Sequence, residues 1–470
     1  MCKKPNVSFH PKCSRLGLTH LVFADDLMLF TRGDLPSVQQ AVTILAEFSK
    51  WSGLTANLEK TEAYFGGVTN SIKSLILTAI GLKEGSFPFR YLGLPIHSSR
   101  LTVEMYDALL LKLQALAGKY STRYLSYAGR IQVLNSAVFG LCNFWCMGLL
   151  LPKQVSCKII KISRDLFWGK EDGSRKHVFK SWQSMCVPWE EGGFNIKNVS
   201  NWNKAIMLKW LWCLDQNQGA IWISWVCKYL TDQSSIWHLH TKEYHPESIR
   251  GILHVREECI AKFGDILAVQ RIQAQCVAKG KFSLAKAYHV LRDTFPAQAV
   301  YKAIHNGTMV PRHRVTTMMA VQHKLAIVDQ LVVRGMYLVN WCSLCKHEAE
   351  SSEHLFFRCS YSAALLSAVK RWIGLNSSAN DLASLLLWTN CRSKRKHWKN
   401  KWISCSLGCL VSALWTERNL RIFEGKERTA PLLLKDIVYT VTTLLLHTVN
   451  ENVYMAVVDA LNERSIVLSD

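Results

Sequence analysis

Two adjacent aspartates, Asp25 and Asp26, lie between short apolar runs at residues 18–23 and 27–30. Apolar runs of that length around a polar break read as strands, so the pair falls at the bend of a hairpin. Aspartate suits turns, and turn chemistry is the plain reading of the pair. Neighbouring carboxylates also repel each other, and a hairpin gains nothing from them unless something positive binds there. Magnesium, held by one or two carboxylates and a substrate phosphate, would meet that need.

The residues that follow narrow the fold. In 37–51, Val38, Ala41, Val42, Leu45 and Phe48 form one helical stripe, with Pro36 at its start and Gly53 past its end. Residues 54–64 return to strand-like sequence. Hairpin, helix and strand make half of a split β-α-β unit. A short helix is expected over 71–80, strand and turn over 87–96, and long helices through 101–151 and 153–168. Residues 131–151 carry no charge and could span a bilayer, but Gln132, Asn135, Ser136 and Asn143 favour a buried helix. Loops and short strands are expected over 169–194, an apolar helix over 202–214, and short helices without a recognisable site over 215–280. Beyond these come a strand and helix over 282–291, a helix over 315–333, a compact Cys/His region over 342–359, and helices over 365–374, 383–388, 398–423 and 432–450. The expected class is α+β, mostly helical.

The formal charge of +22 favours a polyanionic partner, with nucleic acid the first candidate. Lys112, Lys119, Arg123, Arg130, Lys153, Lys158, Lys161 and Arg164 fall in an interval, between Asp107 and Asp165, that has no acidic residue. Arg392, Lys394, Arg395, Lys396, Lys399 and Lys401 form a second block interleaved with Trp398 and Trp402. Phosphate neutralisation and base stacking would explain both blocks, and solvated helix faces are the simpler alternative. Sixteen cysteines without a secretory signal suggest a reducing compartment, so an intracellular location, nuclear or cytoplasmic and not secreted, is expected.

Cys342, Cys345, His354 and Cys359 are spaced C-x2-C-x8-H-x4-C. Thiolates and imidazole are ligands zinc prefers, and four of them close a structural tetrahedral site. His347 is a possible competitor, and Leu355-Phe356-Phe357 could pack beneath the metal. Buried free thiols are the alternative.

The chain resembles the C-terminal part of a plant non-LTR, LINE-type retrotransposon reverse transcriptase. Leu21-Val22-Phe23-Ala24-Asp25-Asp26 is similar to the catalytic hairpin. Phe48-Ser49-Lys50-Trp51-Ser52-Gly53-Leu54, with Asn57, Lys60 and Thr61, is similar to the next palm motif, and Arg90-Tyr91-Leu92-Gly93-Leu94-Pro95-Ile96 to the segment entering the thumb. Leu125-Ser126-Tyr127-Ala128-Gly129-Arg130, Leu151-Pro152-Lys153, Phe167-Trp168-Gly169, Gly192-Gly193-Phe194 and Lys209-Trp210 continue the resemblance. Residues 342–359 resemble the zinc-binding domain that follows the polymerase, with Val310-Pro311-Arg312-His313 as its middle landmark. Trp415-Thr416-Glu417-Arg418-Asn419 resembles a later helix and reads as a packing stripe of Trp415, Leu420 and Phe423 without chemistry.

The resemblance implies RNA-directed DNA polymerisation. Asp25 would be the principal magnesium ligand, Asp26 a supporting one, and Lys60 a group facing the leaving pyrophosphate, its alternative being a solvated lysine. Lys112, Lys119, Arg123 and Arg130 would contact nucleic acid, whether RNA, DNA or their hybrid, with no membrane involved. Two metals about 3.5–4 Å apart need a third carboxylate, and residues 1–17 contain no acid. The reading is therefore of a truncated palm (1–66), a helical thumb-like region (67–168), a connection (169–281), a reverse transcriptase zinc-binding domain (282–375) and a C-terminal helical region (376–470). It is expected to bind zinc and nucleic acid, to hold magnesium only where a complete site assembles, and to be inactive alone as a polymerase. The alternative is a non-enzymatic nucleic-acid-binding zinc protein derived from a retroelement.

Overall fold

The computed structural model describes residues 8–97, 101–120, 125–169, 178–231, 234–306, 309–336, 339–377, 379, 381–390, 397–448 and 451–466. Helix dominates, and the described strands form only two-stranded pairs. This agrees with the expected mostly helical α+β class.

The acidic bend is a hairpin. His20–Phe23 pairs antiparallel with Asp26–Leu29, Phe23 opposite Asp26, leaving Ala24 and Asp25 to make the turn. Ala24 takes a left-handed φ of 51°, as a tight hairpin turn requires. Helix Leu35–Ser52 follows, its first turn capped by the Asp34 carboxylate accepting from the Ser37 N–H at 2.9 Å and its end closed by Gly53. It packs on helix Asn70–Ile80. Residues 54–64 depart from the strand expectation. Only Glu62–Ala63 pairs, in parallel with Lys83–Glu84, and residues 51–60 face solvent. Strand-like composition forms a strand only where a partner offers its edge.

Two compact units emerge. The first comprises residues 1–108, 143–155 and 200–292; the second comprises 109–142, 156–199 and 293–470. In the first, buried Asn203 holds the bend before helix Lys153–Trp168, donating to the Cys146 and Leu149 carbonyls and accepting from the Leu151 N–H at 2.7 Å. The indoles of Trp202 and Trp210 donate to the Asn143 side chain and the Met147 carbonyl. The region expected to hold only short helices includes the seventeen-residue helix Glu247–Phe263.

In the second unit, the expected helix over 315–333 is two helices, Pro311–Val321 and Val328–Val332. Helix His397–Glu424 is its spine, packing on Pro311–Val321 and Ala430–Thr448. Gly193 lies so close to the Val187 carbonyl that a Cβ would collide with it. Beside it, buried Lys180 donates to the Gly192 carbonyl and the Gln322 side chain.

Helices Tyr127–Gly148 and Ala430–His447 are long and apolar enough to cross a membrane by length and composition. The first buries one face, through Ile131, Leu134, Val138, Cys142, Trp145 and Cys146, and ends short of the uncharged stretch that suggested it.

Candidate metal centre

The first pair of thiols in the Cys/His region is set by a tight turn in which the Lys346 N–H donates to the Cys342 carbonyl at 2.8 Å. His354 sits on the π-helical turn His354–Arg358, and Cys359 is the N-cap of helix Ser360–Trp372. These elements bring one ligand atom from each of Cys342, Cys345, His354 and Cys359 within 4.8 Å of one another. The Cys342 and Cys359 sulfurs lie 3.9 Å apart, and Cys345 Sγ lies 3.3 Å from His354 Nε2.

Those distances fit zinc. Bonds of about 2.3 Å to sulfur and about 2.0–2.1 Å to nitrogen, in a tetrahedron, put sulfurs about 3.8 Å apart and sulfur about 3.5 Å from nitrogen. The far ring nitrogen of His354, Nδ1, faces Glu348 Oε2 at 3.1 Å, close enough for an ion pair though not aligned as a hydrogen bond. A carboxylate there would orient the ring and fix its tautomer for a metal at Nε2. The Cys359 thiol is held below the ordinary thiol range, first by the Cys342 thiol donating to it, then by the N–H groups of Ser362 and Tyr361. Cys342 is pushed up by keeping the proton it shares. Leu355 and Phe356, between His354 and Cys359 in the chain, are buried. His347 is exposed and stands outside the set of four.

Helix His397–Glu424 braces this region through groups that the sequence reading missed. Glu350 and Arg418, both buried, form a two-point ion pair, with Nε–Oε2 at 3.1 Å and Nη2–Oε1 at 2.6 Å. Fully buried Glu417 accepts from the Arg421 Nε, the Arg428 Nε and the Arg428 backbone N–H. The stripe expected from Trp415, Leu420 and Phe423 is corrected: Phe423 is 77% exposed, and the charged pair Glu417 and Arg418 points inward instead.

Asp25, Asp26 and Lys60 are all exposed. Among the described residues no third carboxylate, histidine or cysteine joins the two aspartates in a metal-sized cluster, and no ion pair links them to Lys60. Lys112 and Lys119 are exposed on helix Asp107–Tyr120, two turns apart. Arg123 lies outside the described residues. Arg130 is half-buried and works within the fold, donating to the Leu125 carbonyl and, at 2.8 Å, to the Phe167 carbonyl. Of the second basic block, residues 391–396 lie outside the described set. Trp398 and Trp402 are buried, with Trp402 edge-on to Trp372, so they do not present faces for stacking bases.

Residues 5–96 match the family described as reverse transcriptase (RNA-dependent DNA polymerase), and residues 282–365 match zinc-binding in reverse transcriptase. These matches support a reverse-transcriptase-type retroelement protein with the zinc-binding domain. The two matches fall, in order, on the acidic hairpin and on the four-ligand cluster, which favours a retrotransposon reverse transcriptase fragment over the alternative of a non-enzymatic nucleic-acid-binding zinc protein derived from a retroelement. A putative ribonuclease H protein of Arabidopsis thaliana is 22% identical over 129 residues, 27% of this chain and 21% of that protein. The match thus spans about a fifth of the length of that relative.

Proposed function

We propose that this protein serves RNA-directed DNA synthesis by a LINE-type plant retrotransposon, contributing one wall of the polymerase metal site, a nucleic-acid-binding surface and a structural zinc domain. The observation that carries this reading is the order of its parts, a two-aspartate hairpin within the reverse transcriptase match and a Cys3His cluster within the zinc-binding match. Cys342, Cys345, His354 and Cys359 would hold zinc. Four protein ligands leave no open position, so the metal is structural and not hydrolytic.

At the hairpin, Asp25 is the principal ligand and Asp26 the supporting one for magnesium, which when bound would activate the primer 3′-oxygen and balance charge on the transferring phosphate. A further carboxylate must complete that site. Lys60, exposed after the palm helix, serves the leaving pyrophosphate. Lys112 and Lys119 neutralise phosphates of RNA, DNA or their hybrid. Arg130 acts indirectly, by tying its helix to the end of helix Lys153–Trp168.

The test pairs two assays on the 470-residue polypeptide. Binding to an RNA–DNA hybrid should fall steeply with salt between roughly 50 and 200 mM, and primer extension with magnesium or manganese should yield no product. Failure to bind any nucleic acid would refute the function. Robust DNA synthesis would refute the need for a further carboxylate.

A further inference from the structure

We infer that Arg421, far outside the matched zinc-binding segment, is a positioning residue for the zinc site and that zinc affinity is set jointly by the cluster and helix His397–Glu424. This rests on the zinc reading above. Arg421 touches the chain segments that carry both halves of the ligand set. Its Nη1 donates to the carbonyls of Ser343 and Leu344, at 3.3 and 3.0 Å, the two residues between Cys342 and Cys345. Its guanidinium lies over the ring of Tyr361, 4.7 Å from the centroid, and the Tyr361 N–H is one of the groups that point at the Cys359 sulfur. The guanidinium is itself fixed. Its Nε donates to Glu417 at 2.9 Å and its Nη2 to the Arg428 carbonyl at 3.0 Å, where Tyr361 Oη also donates.

Charge points the same way. A zinc ion with three thiolates and a neutral imidazole carries a net charge of about −1. Arg421, Arg428 and buried Glu417 together carry the opposite net charge beside it. Glu348 at His354 and Asp436, paired with Arg428 at 3.0 Å, add negative charges, but both are exposed and screened by solvent. Lys346 is matched by Glu427. Arg421 therefore fixes the carbonyls of the knuckle and offsets the charge of the loaded site, work that only a forked cation does at once.

Zinc affinity of the full chain, measured by competition with a chromophoric chelator, tests this. Arg421→Ala should weaken binding by about 10–100-fold, the usual cost of losing an outer partner of a metal ligand. Arg421→Lys should recover part of the loss, and Glu424→Gln, exposed one turn further on, should change nothing. Because the alanine variant could simply misfold, the reciprocal measurement uses the wild-type chain. Stripping zinc should raise amide exchange across residues 417–430 as well as across 342–359. Unchanged affinity in Arg421→Ala, or protection of 417–430 that ignores the metal, would overturn the inference. A wild-type chain that takes up no zinc would overturn the metal reading beneath it.

Discussion

Arg418→Met should destabilise the second unit by about 3–5 kcal/mol, because it leaves a buried carboxylate without its counter-charge. Glu350 is fully buried and Arg418 nearly so, and the two meet through a fork. Glu350 Oε1 also accepts from the Val328 N–H at 3.1 Å, so one weak partner would remain after the arginine is gone. One backbone donor cannot replace a guanidinium in a site from which water is excluded. Adding Glu350→Gln removes the orphaned charge while its amide oxygen keeps the Val328 contact. The double variant should therefore be more stable than Arg418→Met alone. For a unit of this size the single change corresponds to a fall of about 6–20 °C in Tm. Two units need not unfold together, so urea-dependent amide exchange of peptides from 397–424 is the suitable assay. A cost below about 1 kcal/mol for Arg418→Met, or a double variant less stable than the single, would refute the reasoning.

Cys345→Ser should abolish zinc stoichiometry in native mass spectrometry; unchanged loading would remove Cys345 from the ligand set. Lys112→Glu with Lys119→Glu should reduce the salt slope of hybrid binding by about one or more per site, and an unchanged slope would place the nucleic acid elsewhere. Burial, reinforced by Lys324, lowers the Lys180 pKa to about 8. The unfolded chain then binds the extra proton between about pH 8 and 10.5, so stability should rise with pH across that window, by at most about 3 kcal/mol. The Gly192 and Gln322 acceptors offset part of this by favouring the charged form. Urea midpoints should show the rise in wild type and a flatter profile in Lys180→Met.

Local signals were legible in the sequence and long-range pairings were not. The hairpin, helix Leu35–Ser52 and the four zinc-type ligands follow from neighbours in the chain, and each forms where its pattern lies. Trp398 and Trp402 were ambiguous, since basic residues around aromatics describe a stacking platform as well as a packed helix. Their i,i+4 spacing puts them on one helix face, and packing prevailed. The Glu350–Arg418 pair joins residues 68 apart, which no periodicity reveals. A weaker signal did exist. From Trp402 to Thr416 the helix carries no charge, as a buried helix does, so Glu417 and Arg418, arriving on the same helix, had to enter the interior paired.

Both matched segments depend on residues outside those matches. The hairpin has two strands and exposes Val22 and Phe23, which alone make a marginal structure. Its base is tied to helix Ile221–Tyr229. The Trp225 indole donates to the Lys12 carbonyl at 2.6 Å, and Arg15 donates from its backbone N–H to Tyr229 Oη and from its side chain to the Lys228 carbonyl. The turn between Cys342 and Cys345 leans in the same way on Arg421 of helix His397–Glu424, which donates to the Ser343 and Leu344 carbonyls. In each case the motif supplies the ligand atoms, while helices elsewhere in the chain fix the segments that carry them. Substitutions in those helices should therefore alter metal and nucleic-acid binding without touching any ligand.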